Sequence, residues 1–227
     1  MIRYAKLSLP FDLNALKTEL HNTFEKWEPH FNILHYEGAW TALALRSPGG
    51  EHKNIIPELT THADYSDTVY MLQFPSVKEL LSQINCPIMA VRLLNLQAGA
   101  VIKPHKDNEL AFEKGEARLH FPVITNSDVE FYIEEERIYM QEGDCWYINA
   151  NLTHNVSNTS GTDRIHLVID CKVNEWLKAL IISSSQMSFK EDYAANELSM
   201  MIHELRLQNT ETSNKIALDL EQQLDQK

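Results

Sequence analysis

The residue types best placed to do chemistry are His105 and Asp107, two positions apart in PHKD (residues 104–107) at the end of the strand-like run AVRLLNLQAGAVI. Side chains alternate along an extended chain, so an imidazole and a carboxylate at this spacing point the same way and can hold one metal ion from one side. A second histidine from another strand would complete a two-His, one-carboxylate facial triad. Such a set leaves positions on Fe(II) open for chemistry. His154 is the candidate third ligand. A rival pair, His62 and Asp64 in THAD, lies in a polar, turn-prone stretch and reads as a surface loop or lid.

The segment after His154 strengthens the choice. If residues 158–161 turn an antiparallel hairpin, His154 lies opposite Arg164, with Cβ atoms about 5 Å apart. A guanidinium there could grip the far carboxylate of a dicarboxylate whose 2-oxo acid end chelates the metal. That combination predicts a 2-oxoglutarate site. In ARLHFPV, Arg118 and His120 alternate with Leu119 and Phe121, so both polar groups face one side of a strand. Buried, they need an anionic or metal-bound partner. They obtain one if they contact the oxo-acid end of that dicarboxylate and a substrate carboxylate. Trp146 and Arg46 complete the expected substrate contacts, with core packing the competing role for Trp146. Trp40, Ser47 and Asn149 could also reach the pocket, and His166 shares a face with Arg164.

These residues must be positioned by strands. Short strands are expected at 38–46, 89–96, 117–124, 129–134, 137–140, 145–148, 154–156 and 164–171, separated by turn residues and without intervening helices. The pattern predicts a mainly β fold, a double-stranded β-helix or jelly roll of the cupin kind. Helices at 12–27 and 76–85, the second with Ser76 and Glu79 in capping-box spacing, support it from the N-terminal side. Two amphipathic segments follow from 175 onward, so the expected organisation is a domain at 1–174 and a helical extension at 175–227.

A net charge of −12 disfavours nucleic acid and anionic membranes as partners. Three widely spaced cysteines indicate neither a disulfide framework nor a zinc site. The absence of a long apolar segment leads us to expect a cytoplasmic protein acting on a small molecule or peptide, with a homodimer through the C-terminal helices as a further expectation.

Four motifs in order, RLLNLQAGAVIKPHKD, RLHFPVITN, EGDCWYINANLTHNVSN and DRIHLVIDC, resemble the aspartyl/asparaginyl β-hydroxylase family of Fe(II)/2-oxoglutarate oxygenases, which is similar to certain bacterial proline hydroxylases. The resemblance covers about residues 88 to 176. It implies iron held by His105, Asp107 and His154, 2-oxoglutarate held by Arg164 and His120, O2 as co-substrate with ascorbate as a useful reductant in vitro, and hydroxylation of an amino acid or of an Asp/Asn-type residue in a peptide. The animal members lack the carboxylate ligand, whereas Asp107 is present here. The competing expectation is a non-catalytic, cupin-like module that binds a metal or a carboxylate.

Overall fold

The computed structural model describes residues 1–23, 26–56, 64–107, 110–189 and 195–225. Strand β1 (Ile2–Leu7) leads into helix α1 (Leu13–His21), capped by Asp12 Oδ1, which accepts from the Ala15 amide at 2.9 Å. Strands β2 (Glu28–Pro29), β3 (Tyr36–Glu37), β4 (Trp40–Pro48) and β5 (Tyr65–Asp67) follow, then helix α2 (Pro75–Gln83). The site-bearing strands come next: β6 (Ile88–Leu96), β7 (Val101–His105), β8 (Glu116–Ile124), β9 (Val129–Ile133) and β10 (Glu136–Ile138). They continue with β11 (Cys145–Ile148), β12 (His154–Asn158) and β13 (Arg164–Lys172). Helix α3 (Glu175–Ile182), strand β14 (Met187–Phe189) and helices α4 (Ala195–Gln208) and α5 (Glu211–Asp225) end the chain.

All pairings are antiparallel and fall into two sheets. The larger runs β14-β1-β11-β8-β13-β6-β4-β2, with β5 on β4, and the smaller runs β10-β9-β12-β7-β3. This is the expected jelly roll. Alternation divides the large sheet's side chains between two cores. Leu43, Leu93, Leu119, Phe121 and Leu167 pack with Leu16 of α1, Val77 and Leu80 of α2, and Leu177 of α3. From the opposite face Trp40, Ala44, Leu94, Trp146 and Val168 meet Ile102, Phe131, Ile133 and Val156 of the small sheet. Polar residues in register with this second set, among them Arg92, Arg118, His120, Arg164, His166 and Asp170, are all buried. The site therefore lies between the sheets.

One expectation is overturned here. Strands β12 and β13 do not form a hairpin: β12 pairs with β7 and β9, setting His154 opposite His105 and Ile133, whereas β13 pairs with β6 and β8. The five-residue passage between them crosses from one sheet to the other. Asn158 holds that crossing, because its side-chain amide donates to the carbonyls of Leu96 (3.0 Å), Gln97 (3.1 Å) and Thr162 (2.9 Å) while its Oδ1 accepts from Ser160.

Helix limits also shift. Helix α1 stops at His21, short of Trp27, and the Ser76–Glu79 capping box does not form; Ser76 instead gives its amide and hydroxyl to Glu19 of α1. The chain divides into two compact units, Ile2–Phe189 and Lys190–Lys227 with Met1, so residues 175–189, expected in the tail, lie in the larger unit. Strand β14 accounts for this by pairing with β1. In the smaller unit α4 and α5 are joined through Asn209 and Thr210, with Thr210 and Ser213 capping each other at 3.0 Å and Arg206 paired with Glu221 at 2.9 Å. The three cysteines are free and buried. Among the described residues no helix is long and apolar enough to cross a membrane.

Asn158→Ala leaves three carbonyls without their donor and should cost about 2–3 kcal/mol in urea unfolding at unchanged m-value. Asn158→Asp, which keeps the shape and loses the donors, should cost as much; a change under about 0.5 kcal/mol in both would refute the anchoring role.

Candidate metal centre

His105 ends β7 and His154 begins β12, directly opposite in the register of the small sheet, with ring centroids 4.2 Å apart. Asp107 follows two residues after His105, its amide tied to the Ala150 carbonyl at 2.8 Å. One ligand atom from each of His105, Asp107 and His154 lies within 4.8 Å of the others. The histidines are set up to ligate. Nδ1 of His105 lies 2.8 Å from the Lys103 carbonyl and Nδ1 of His154 lies 3.0 Å from the Leu152 carbonyl. A carbonyl only accepts, so both rings carry their proton on Nδ1 and present the Nε2 lone pair. Burial, then the neighbouring His105, pushes His154 down to about 4, which keeps it neutral at physiological pH. Two imidazole nitrogens and one carboxylate, so oriented, fit an Fe(II) ion.

Behind Asp107 stands a line of alternating charge. Arg118 reaches Asp107 with one nitrogen and, with Nε, Asp170 at 2.7 Å; Asp170 also receives Arg92 at 2.6 Å. Burial opposes the charge on Asp107, but Arg118 and both histidines outweigh it and hold the carboxyl well below the usual range. Burial likewise opposes the Arg118 cation, and Asp170 with Asp107 overcomes it and raises its pKa. Arg92, Asp107 and Arg118 line a cavity of about 220 Å³ together with His30, Trp40 and Leu110. His30 stacks on Trp40 with centroids 3.4 Å apart and planes 11° apart, and burial followed by Arg92 pushes it down to about 3.

Arg164 is different. It is 2% exposed and makes no ion pair among the described residues; burial alone pushes it down to about 9, so it remains a cation at neutral pH. Its guanidinium lies 6.0 Å from the centre of Phe131, whose ring is 6.2 Å from that of His154 and 5.7 Å from that of His120. Arg164, His120 and His154 of the triad thus surround one phenylalanine. Nδ1 of His120 and Nε of Arg164 are buried with no hydrogen-bond partner among the described residues.

The aspartyl/asparaginyl beta-hydroxylase family profile matches residues 11–173. The chain belongs to this family. It is 27% identical over 151 residues to an L-proline cis-4-hydroxylase of Rhizobium meliloti (strain 1021), covering 66% of this chain and 53% of that protein. An L-proline cis-3-hydroxylase 2 of Streptomyces sp is 26% identical over 137 residues, covering 59% of this chain and 47% of the other. The chain spans about half the length of these curated relatives. A solved oxidoreductase of the 2OG-Fe(II) oxygenase family from Burkholderia pseudomallei matches with a TM-score of 0.48 and 10% identity, covering 72% of this chain and 81% of that one.

In this member of the hydroxylase family, two expected substrate contacts, Trp146 and Arg46, are revised. Trp146 has no solvent exposure and packs edge-on against Tyr4, its indole N–H donating to Asp144 at 3.2 Å; it is core, away from the cavity. Arg46 pairs with Asp67 at 2.9 Å and with the Tyr65 carbonyl at 2.7 Å on the outer side. The cause is a register shift between Ala44 and Arg46, which sets Arg46 opposite Val91 of the helix-side core and breaks the alternation that would have turned it inward. Arg118 lines the cavity as expected, but its guanidinium is already engaged by Asp107 and Asp170. Asn149 donates to the Ile2 carbonyl at 2.9 Å and ties down β1, while Trp40 does line the cavity. Of the rival pair, His62 lies outside the described residues and Asp64 is exposed.

His30, Arg92, Leu110 and Asp170 were not anticipated. Arg92 and Asp170 carried a readable signal, each being a charged residue inside a strand otherwise apolar (AVRLL and LVIDC). Such a residue in a central strand must have a buried partner. Asp170→Ala strands two buried guanidiniums and should destabilise the hydroxylase-family fold by about 3–5 kcal/mol in chemical denaturation; a loss below about 1 kcal/mol would mean that Asp107 alone carries both arginines.

Proposed function

We propose that this chain is an Fe(II)/2-oxoglutarate-dependent dioxygenase that hydroxylates an unactivated C–H bond of a carboxylate-bearing substrate, a free amino acid before a peptide. The observation that carries the reading is Arg164, a buried cation with no acidic partner among the described residues, which shares the Phe131 ring with His154 of the His105, Asp107 and His154 set. A fold stabilised for its own sake would pair that charge, as it pairs Arg92 and Arg118. The distal carboxylate of 2-oxoglutarate supplies the missing anion.

In this reading His105, Asp107 and His154 hold Fe(II), which with 2-oxoglutarate and O2 supplies the oxidising power that places one oxygen atom in a C–H bond while 2-oxoglutarate leaves as succinate and CO2. The chain's own contribution is positioning. Arg118 steadies Asp107 through one nitrogen and is itself braced by Asp170. His120, held neutral by burial, offers a hydrogen bond to the metal-proximal end of the oxo acid. Arg92, whose Nη1 otherwise makes only a 3.3 Å contact to the Ile55 carbonyl, receives a substrate carboxylate together with Arg118. The stacked His30 and Trp40 form an aromatic wall that keeps water from the reacting carbon. The cavity volume and the names of the curated relatives put L-proline and other small amino acids first among compounds to try.

Anaerobic addition of Fe(II) and 2-oxoglutarate should give a weak visible charge-transfer band that His105→Ala abolishes, and aerobic succinate release should rise with one member of a panel of amino acids and short peptides. No band and no succinate with any of them would sink the assignment in favour of a binding module. Arg164→Met replaces an uncompensated buried cation by an apolar chain, so its melting temperature should equal or exceed that of the parent. Unlike the parent, it should gain no thermal stability from 2-oxoglutarate.

A further inference from the structure

Arg164 and His166 lie two residues apart on β13 and so share the face turned toward the small sheet. His166 is 1% exposed, and its Nδ1 lies 2.8 Å from Nη2 of Arg164. A guanidinium has donors and no acceptor, so the imidazole nitrogen must be the acceptor. The ring's own proton is thereby assigned to Nε2. That nitrogen is buried and has no hydrogen-bond partner among the described residues. A histidine kept only for packing would be expected to satisfy both nitrogens, because a buried unmet donor costs about 1–3 kcal/mol.

The acceptors that could have met these donors are engaged elsewhere. Asp170 takes Arg92 and Arg118, and Asp107 takes Arg118. What remains beside His166 is the His120 ring, edge-on with centroids 5.8 Å apart, and the unpaired Arg164. Three buried nitrogens without partners, Arg164 Nε, His166 Nε2 and His120 Nδ1, therefore belong to neighbouring side chains on β8 and β13.

We infer that His166 is a positioning residue for the distal carboxylate of 2-oxoglutarate: its Nδ1 accepts from Arg164 and fixes the guanidinium that receives the carboxylate, and its Nε2–H is a further donor to the same anion. The inference rests on the reading of Arg164 given above. It makes selectivity for a dicarboxylate over a 2-oxo monocarboxylate a property of the Arg164–His166 pair rather than of the arginine alone.

The test is calorimetric titration of the Zn(II)-loaded, oxygen-inert protein with 2-oxoglutarate and, separately, with pyruvate, which keeps the 2-oxo acid end and lacks the distal carboxylate. His166→Leu should weaken 2-oxoglutarate binding by about tenfold or more and leave pyruvate binding within about threefold of the parent, since only a hydrogen-bonded charged group is affected. His166→Gln, which can both accept and donate, should recover most of the loss. In the Arg164→Met background, His166→Leu should add little, because the two residues act as a unit.

Equal loss for both ligands, or no loss for either, overturns the positioning role. If the parent binds pyruvate and not 2-oxoglutarate, the underlying reading of Arg164 fails as well. Should His166→Leu not fold, long-range 1H–15N correlation on the parent decides: the Nε2–H tautomer, with that proton's signal moving on addition of 2-oxoglutarate, supports the inference, and the Nδ1–H tautomer or an unmoved signal overturns it.

Discussion

Asp170, with no solvent exposure, is the constraint on which the site depends. It sits near the C-terminal end of a strand buried on both faces, opposite Arg118 of β8, and it binds Arg118 on one side and Arg92 on the other. Charges in such a place are tolerable only when matched, because desolvating each costs several kcal/mol. Two carboxylates, Asp107 and Asp170, match two guanidiniums, Arg92 and Arg118. The network spans three strands of the large sheet and the chain just past β7 of the small one, so the candidate metal ligand Asp107 is placed by the same bonds that hold the two layers in register. A neutral set of four charges also leaves little free anionic character. A divalent ion added to it would make the cavity a place for anions, which suits the order metal first, oxo acid and carboxylate substrate afterwards.

Much of this was written in the alternation of the strands. Arg118 and His120 against Leu119 and Phe121, and Arg164 and His166 against Ile165 and Leu167, announce a sheet with one apolar face under helices and one polar face inside a barrel. The candidate triad was legible for the same reason, since His105 and Asp107 need only period two to share a side. Arg92 and Asp170 obey the identical rule. They were passed over because each stands alone in its apolar run, and the partner that explains either one lies 78 residues away in the chain.

What alternation could not supply was the pairing of the strands. Five residues between two strands read locally as a hairpin, and only the tertiary structure turns them into a passage between sheets that face each other about 10 Å apart. Asn158 makes the passage possible by serving three carbonyls at once, which its neighbours in sequence do not reveal. Arg46 failed for a related reason: one extra residue in β4 resets the parity, and the position that should have faced the cavity faces Asp67 instead. Both misreadings are failures of register, and neither touched the residue types.

The interior is also unequal along its length, and this asymmetry says more than any one residue. At the end holding Arg92, Asp170, Arg118 and Asp107 every cation has an anion, so the polar groups sustain the fold and one another. At the end holding Arg164, His166 and His120 there is a cation without an anion and a set of donors without acceptors, sealed from water that could have served them. Packing does not require this, since apolar residues of similar volume would fill the space at lower cost. A buried cation without an anion at one end, where the other end matches each cation with a carboxylate, is the arrangement that the proposed binding of an anionic oxo acid requires. The triad marks where a metal would sit, and the proposed function seats its anionic partner at the unmatched end.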